Sequence, residues 1–186
     1  MQAAVFDISG PVLLTPIRHR DVRGFFSETY NERDLRPFLG DTRFVQDNHL
    51  FSLKAGTIRA LHFQVPPKTQ GKLIRVTSGS VFEVAVDLRR GLPSYGKHVS
   101  TVLTADNWQQ LWVPPGFAHG VCTLEPDTEV IYKVTDLYSP EHERGIRWND
   151  PALAIAWPAV AATPTVLDKD KALPLLADLP AYFPAG

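Results

Sequence analysis

Ile58-Arg59-Ala60-Leu61-His62-Phe63-Gln64, IRALHFQ in one-letter code, reads as a β-strand carrying a histidine toward a protein interior. Side chains alternate across a strand, so Ala60, His62 and Gln64 are expected on one face and Arg59, Leu61 and Phe63 on the other. A second strand, QGKLIRV from Gln70 to Val76, brings in Lys72, and the turn of PPGFAHG, Pro114 to Gly120, delivers His119. A polar side chain on an inner face needs a hydrogen-bond partner or a ligand. The group His62, Lys72 and His119 therefore marks a candidate site for acid/base chemistry on a small polar molecule.

Working outward, the strand pattern continues through most of the chain. Val12–Ile17, Phe44–Phe51, Gly56–Gln64, Leu73–Thr77, Val81–Leu88, His98–Leu103, Gln110–Val113, Val121–Leu124 and Glu129–Leu137 are short and rich in β-branched or aromatic residues. Turn residues separate them. Sixteen prolines argue against a helical bundle. Helices are expected at Glu32–Phe38, with Asn31 as N-cap, and at Lys169–Ala177, after the polar Asp168. Trp157–Pro164, rich in Pro and Ala, is expected to cross the surface in extended form. In Val81–Leu88, Phe82, Val84, Val86 and Leu88 form an apolar face opposed by Glu83, Ala85 and Asp87, and Tyr132 shares a face with Val130 and Val134. The expected fold is mainly β, a jelly-roll barrel with a few short helices.

Bulk properties narrow the function classes. The 186 residues, 44% hydrophobic and 21% charged, fit one domain over 1–186. A formal net charge of −1 argues against a nucleic-acid or anionic-membrane surface. No run of about 18 apolar residues occurs, so no spanning helix is expected. The opening MQAAVFDISG lacks a basic start and is interrupted by Asp7, which does not read as a signal peptide. The lone Cys122, in the apolar GVCTL, is expected to be a buried structural thiol, and a reducing, cytoplasmic setting fits it.

The order of strand histidine and PxGxxH turn resembles a cupin barrel with its metal ligands thinned out. Metal-binding cupins pair two histidines at i and i+2 and add a Glu; here Gln64 stands where the second histidine would be. Two histidines without a nearby carboxylate make a poor transition-metal site, so neither metal nor cofactor is expected. A paired imidazole is then a natural general base. A buried Lys72 calls for an anion or developing negative charge opposite it. The plainer readings are a core histidine bonded to backbone and a solvated lysine at a strand end.

A longer set of ordered pieces resembles the dTDP-4-dehydrorhamnose 3,5-epimerase family. They are DVRGFFSE (Asp21–Glu28), FVQDNH (Phe44–His49), GTIRALHFQ (Gly56–Gln64), QGKLIRV, VFEVAVDLR (Val81–Arg89), VPPGFAHG (Val113–Gly120), EVIYKVTDLYSPEHERGIRWNDP (Glu129–Pro151) and LDKDKALPLL (Leu167–Leu176). The resemblance implies a cofactor-independent enzyme acting on a dTDP-linked 4-keto-6-deoxyhexose, whose C4 carbonyl acidifies the protons on C3 and C5. It implies His62 as base with Asp170 behind it, Lys72 at the enolate oxygen and Tyr132 as acid on the opposite face. It also implies contacts from Arg23 and Arg59 to the diphosphate, Phe26, Glu28, Gln46 and Asn48 around the nucleotide, Tyr138 shaping the pocket, and His119 in the pocket in an undecided role. Because the Asp21–Glu28 segment of this family reaches a neighbouring subunit's site, a homodimer is implied.

The chain departs from the family pattern at Ala60 for a usual Gly, Leu167 for Ser and Glu83 for Asp. Asp168 rivals Asp170 as the partner of His62. Alternatives from other classes are an epimerase inverting only C3 or only C5, a non-catalytic nucleotide-sugar-binding cupin, and a metal-dependent cupin oxygenase.

Overall fold

The computed structural model describes residues 1–184. In chain order the first strands are β1 (Gln2–Val5), β2 (Val12–Thr15), β3 (His19–Asp21), β4 (Gly24–Phe26), β5 (Gln46–Ser52), β6 (Ile58–Gln64), β7 (Lys72–Ser78) and β8 (Ser80–Asp87). Then come β9 (Arg89–Arg90), β10 (His98–Thr104), β11 (Gln110–Val113), β12 (Phe117–Thr123), β13 (Thr128–Val134), β14 (Glu143–Gly145) and β15 (Phe183–Pro184). Two antiparallel sheets face each other, one in the order β1-β2-β11-β7-β13-β5 and the other β10-β8-β12-β6-β14. This is the mainly β jelly-roll expected.

Three apolar layers hold the sheets. Ile74, Val76, Val81, Ala85, Leu111, Val121 and Val130 fill the space between them. On the outer face of the larger sheet, Val12, Leu14, Leu73 and Trp112 are covered by Leu35 of α1 (Glu32–Leu39). That helix begins as expected, with Asn31 accepting from the Arg33 N–H. On the outer face of the smaller sheet, Val84, Val86 and Leu88 pack against Ile146, Leu153, Ala161, Val166 and Leu176 of the C-terminal segment. Both faces of β8 are therefore buried, and its polar set, Glu83 and Asp87, points between the sheets.

Three expectations need correction, and one element went unexpected. Val121–Leu124 captures only the end of β12, which starts at Phe117 because the preceding Pro114-Pro115-Gly116 turn is tight, so His119 lies inside a strand. The helix over Lys169–Ala177 is only α2 (Asp168–Lys171), since Pro174 has no N–H to continue it, with a separate turn at Leu176–Asp178. Trp157–Pro164 does not simply cross the surface in extended form: it coils at Ala159–Ala161 and buries Ala161 against the smaller sheet. The β3–β4 hairpin was not anticipated, and it projects with Val22 and Phe26 exposed.

Candidate functional site

β6 positions the site, and it does so by breaking its own alternation. His62 pairs with His119 on β12, but Arg59 pairs with Val121, so Ala60 and Leu61 together face Gly120 in a bulge. The extra residue shifts the phase of the strand. Ile58, Ala60, Leu61 and Phe63 pack outward, while Arg59 joins His62 at the cavity between the sheets. This corrects the alternation, which had set Arg59 opposite His62 and Ala60 beside it. Gly120 permits the bulge: a Cβ there would lie 2.6 Å from Ala60 Cβ and 2.7 Å from Leu61 Cδ2.

Two adjoining lobes of about 240 Å³ each make up the cavity. His62, Lys72, Tyr132 and Glu143 line both lobes. Gln46, Asn48, Gln64 and Tyr138 close one lobe; Arg59, Glu83, His119 and Asp170 close the other. His62 comes from the smaller sheet and Tyr132 from the larger, so imidazole and phenol enter from opposite walls.

His62 Nε2 lies 3.0 Å from Asp170 Oδ1. Asp170 is 3% exposed whereas Asp168 is 97% exposed and bonded to Lys171, so the choice between the two falls on Asp170. The helical turn of α2 sends the two carboxylates in different directions. A carboxylate only accepts hydrogen bonds, so it orients the ring with Nε2–H toward Asp170 and leaves Nδ1 unprotonated. Nδ1 has no partner among the described residues and is not among their sealed, unpaired atoms, so it opens on the cavity.

Burial lowers Lys72 to about 8, with Glu83 and Glu143 pulling it back up. Its Nζ donates to the His62 carbonyl at 3.4 Å. Burial raises the Tyr132 phenol; Arg59 opposes the rise and Glu143 adds to it. His119 Nε2 meets Glu83 Oε2, and burial lowers this imidazole against the pull of Glu83, with Lys72 and His62 adding to the drop. Gln64 is spent on backbone. Its amide donates to Lys68 O at 2.6 Å and Leu137 O at 3.2 Å and accepts from Ser139 N–H at 2.8 Å. Gln46 donates to Asn48 and accepts from the Tyr138 N–H, tying β5 to the loop after β13.

Arg23, Phe26 and Glu28 are not brought to this cavity. They lie on or beside the β3–β4 hairpin, where Asp21 holds the exposed Arg23 guanidinium at 2.6 Å. Glu143 is the site residue that sequence reasoning missed. It sits on β14 beside Gln64 and accepts from the Tyr138 hydroxyl at 3.1 Å. A three-residue strand shows no alternation, so only its place within the long Glu129–Pro151 match pointed to it. Cys122 is buried, and burial pushes its thiol up to about 11, as befits a structural thiol. Among the described residues, no three His, Cys, Asp or Glu side chains converge where a metal ion could sit, and no helix is long and apolar enough to cross a membrane.

A family model described as dTDP-4-dehydrorhamnose 3,5-epimerase matches residues 5–178. A protein of that name from Sinorhizobium fredii is 50% identical over 171 residues, covering 92% of this chain and 87% of the relative. Another from Pseudomonas aeruginosa is 46% identical over 183 residues, covering 98% and 99%. The crystal structure of the Legionella pneumophila dTDP-6-deoxy-D-glucose-3,5-epimerase in complex with dTDP-4-keto-L-rhamnose superposes with TM-score 0.93 at 40% identity, covering 100% of this chain and 98% of that one. The Bacillus anthracis dTDP-4-dehydrorhamnose 3,5-epimerase structure, with TDP and PPi bound, superposes with TM-score 0.90 at 47% identity, covering 94% and 98%.

Proposed function

The chain belongs to the dTDP-4-dehydrorhamnose 3,5-epimerase family, and we propose that it performs the family reaction with His62 as base and Tyr132 as acid. The reaction inverts C3 and C5 of dTDP-4-dehydro-6-deoxy-D-glucose to give dTDP-4-dehydro-L-rhamnose, a step of L-rhamnose biosynthesis. The observation that carries the mechanism is the approach of His62 and Tyr132 to one cavity from opposite sheets, with Asp170 behind His62.

His62 Nδ1 takes the proton from a carbon beside the C4 carbonyl. The electron pair of that C–H bond moves into the ring and the carbonyl π bond moves onto O4, giving an enolate. Lys72, protonated below about 8, faces the new negative charge. Asp170 stabilises the imidazolium as it forms. Tyr132 Oη then delivers a proton to the opposite face of the carbon, which inverts it. Exchange with solvent returns a proton to the tyrosinate and removes one from the imidazolium before the second centre reacts. Burial keeps the Tyr132 phenol protonated at neutral pH, as an acid must be.

Arg59 suits the diphosphate, whose oxygens match a guanidinium fork. Gln46, Asn48 and Tyr138 suit the nucleotide end of the cavity. The exposed hairpin bearing Arg23 and Phe26, with Glu28 just beyond it, fits a homodimer in which it completes the partner's site. Incubation with dTDP-4-dehydro-6-deoxy-D-glucose in deuterated water, followed by NMR, tests the reading. Exchange at both C3 and C5, abolished in His62→Ala, is expected; no exchange in the native enzyme would sink it.

A further inference from the structure

Beside the His62–Asp170 pair stands a second imidazole–carboxylate pair that the mechanism above does not use. His119 and His62 are direct cross-strand partners on β12 and β6. Each is held from behind by a carboxyl on a different element, Asp170 on α2 and Glu83 on β8. The Glu83 side chain is fully buried, bonds His119 through Oε2, and leaves Oε1 without a partner. A buried carboxyl with one bond is a costly arrangement, so its retention calls for a gain elsewhere.

We propose that Glu83 is a positioning residue that fixes His119 with its proton on Nε2, so that Nδ1 meets the cavity as an acceptor for a hydroxyl of the bound sugar. The inference rests on the substrate reading above. A carboxylate accepts only, so the ring must donate through Nε2, and the one remaining polar atom is Nδ1. Nδ1 has no partner among the described residues and, unlike Glu83 Oε1, is not sealed from the cavity. Burial disfavours a second proton on this ring against the pull of Glu83, and the neighbouring Lys72 and His62 add to that, which keeps Nδ1 an acceptor. A sugar hydroxyl can donate to such an atom, whereas the opposite tautomer would make the ring the donor and the hydroxyl oxygen the acceptor, turning that bond around.

Nitrogen-15 NMR of the whole protein labelled in its histidines reads the tautomer directly. The expected native signature for His119 is a protonated, pyrrole-type Nε2 and an unprotonated, pyridine-type Nδ1. A proton on Nδ1 in the native protein, alone or with one on Nε2, overturns the proposal without any variant having to fold. In Glu83→Gln the tautomer should become mixed and kcat/KM should fall roughly ten-fold, the worth of about one neutral hydrogen bond. Binding of dTDP, which lacks the sugar, should be unchanged, and Glu83→Asp should recover most of the loss. Unchanged kcat/KM in Glu83→Gln, loss of dTDP binding, or no recovery with Asp would each overturn it. If the native enzyme does not turn over the keto sugar, the substrate reading falls, while the NMR signature still decides the tautomer.

Discussion

Replacing Asp170 by Asn removes one charge and little else, and this makes it the sharpest perturbation of the base. The Nε2 to Oδ1 separation is 3.0 Å, Asp170 is 3% exposed and His62 is 23% exposed. When His62 takes a proton from the sugar, a full positive charge forms about 4 Å from the centre of the carboxylate. At an effective dielectric of about 20 that attraction is worth ~4 kcal/mol, and the partial exposure of His62 trims it to ~3 kcal/mol. The neutral imidazole of the resting enzyme gains far less, so the difference falls on the transition state. Asp170→Asn should therefore lower kcat by roughly 10²-fold, converting at about 1.4 kcal/mol per decade. Removing a buried charge should not lower the unfolding temperature, and dTDP affinity should hold. Steady-state kinetics, a thermal melt and calorimetric titration of dTDP give the three numbers. A kcat loss below about three-fold, or a loss confined to KM, would refute the argument that this carboxylate serves the imidazolium.

Lys72 sets an alkaline limb: protonated below about 8, it faces the enolate as a cation, and kcat/KM should fall as pH rises through that value. Tyr132 is raised rather than lowered and does not add to this limb, so a Lys72→Arg enzyme, however slow, should lack it. Gly120→Ala would press a methyl to within 2.6 Å of Ala60 Cβ in a fully buried layer. It should cost about 2 kcal/mol or more in chemical denaturation and disturb the bulge that aligns Arg59 with His62. Gln64→His, which rebuilds a histidine pair on β6, would leave Lys68 O, Leu137 O and Ser139 N–H without their partner. It should lose about 3 kcal/mol of stability and gain no metal dependence, as denaturation with and without added zinc would show.

Much of this was legible in the chain because the strands obey alternation. Period two gave the shared face of Val130, Tyr132 and Val134 and set Glu83 opposite Phe82 and Val84, whereas the inward turn of Lys72 and Glu83 rested on the order of the motifs and on the family pattern. Alternation failed at Ala60-Leu61 because the bulge is set by Gly120, a residue on another strand some sixty positions away. The Asp168/Asp170 ambiguity came from not knowing whether the segment was extended or helical, and one turn of helix resolved it. The hairpin bearing Arg23 escaped notice because its strands are three residues long and fully exposed, with no core to impose a pattern.

The central claim is that His62 and Tyr132 act on opposite faces of one enolate, and Tyr132→Phe in deuterated water tests it most directly. The base is intact in this variant, so the enolate still forms. With no acid on the far face, deuterium should return from the His62 side. The account predicts exchange at the reacting carbons of dTDP-4-dehydro-6-deoxy-D-glucose without inversion. Inversion at an undiminished rate, or loss of exchange together with inversion, would contradict it.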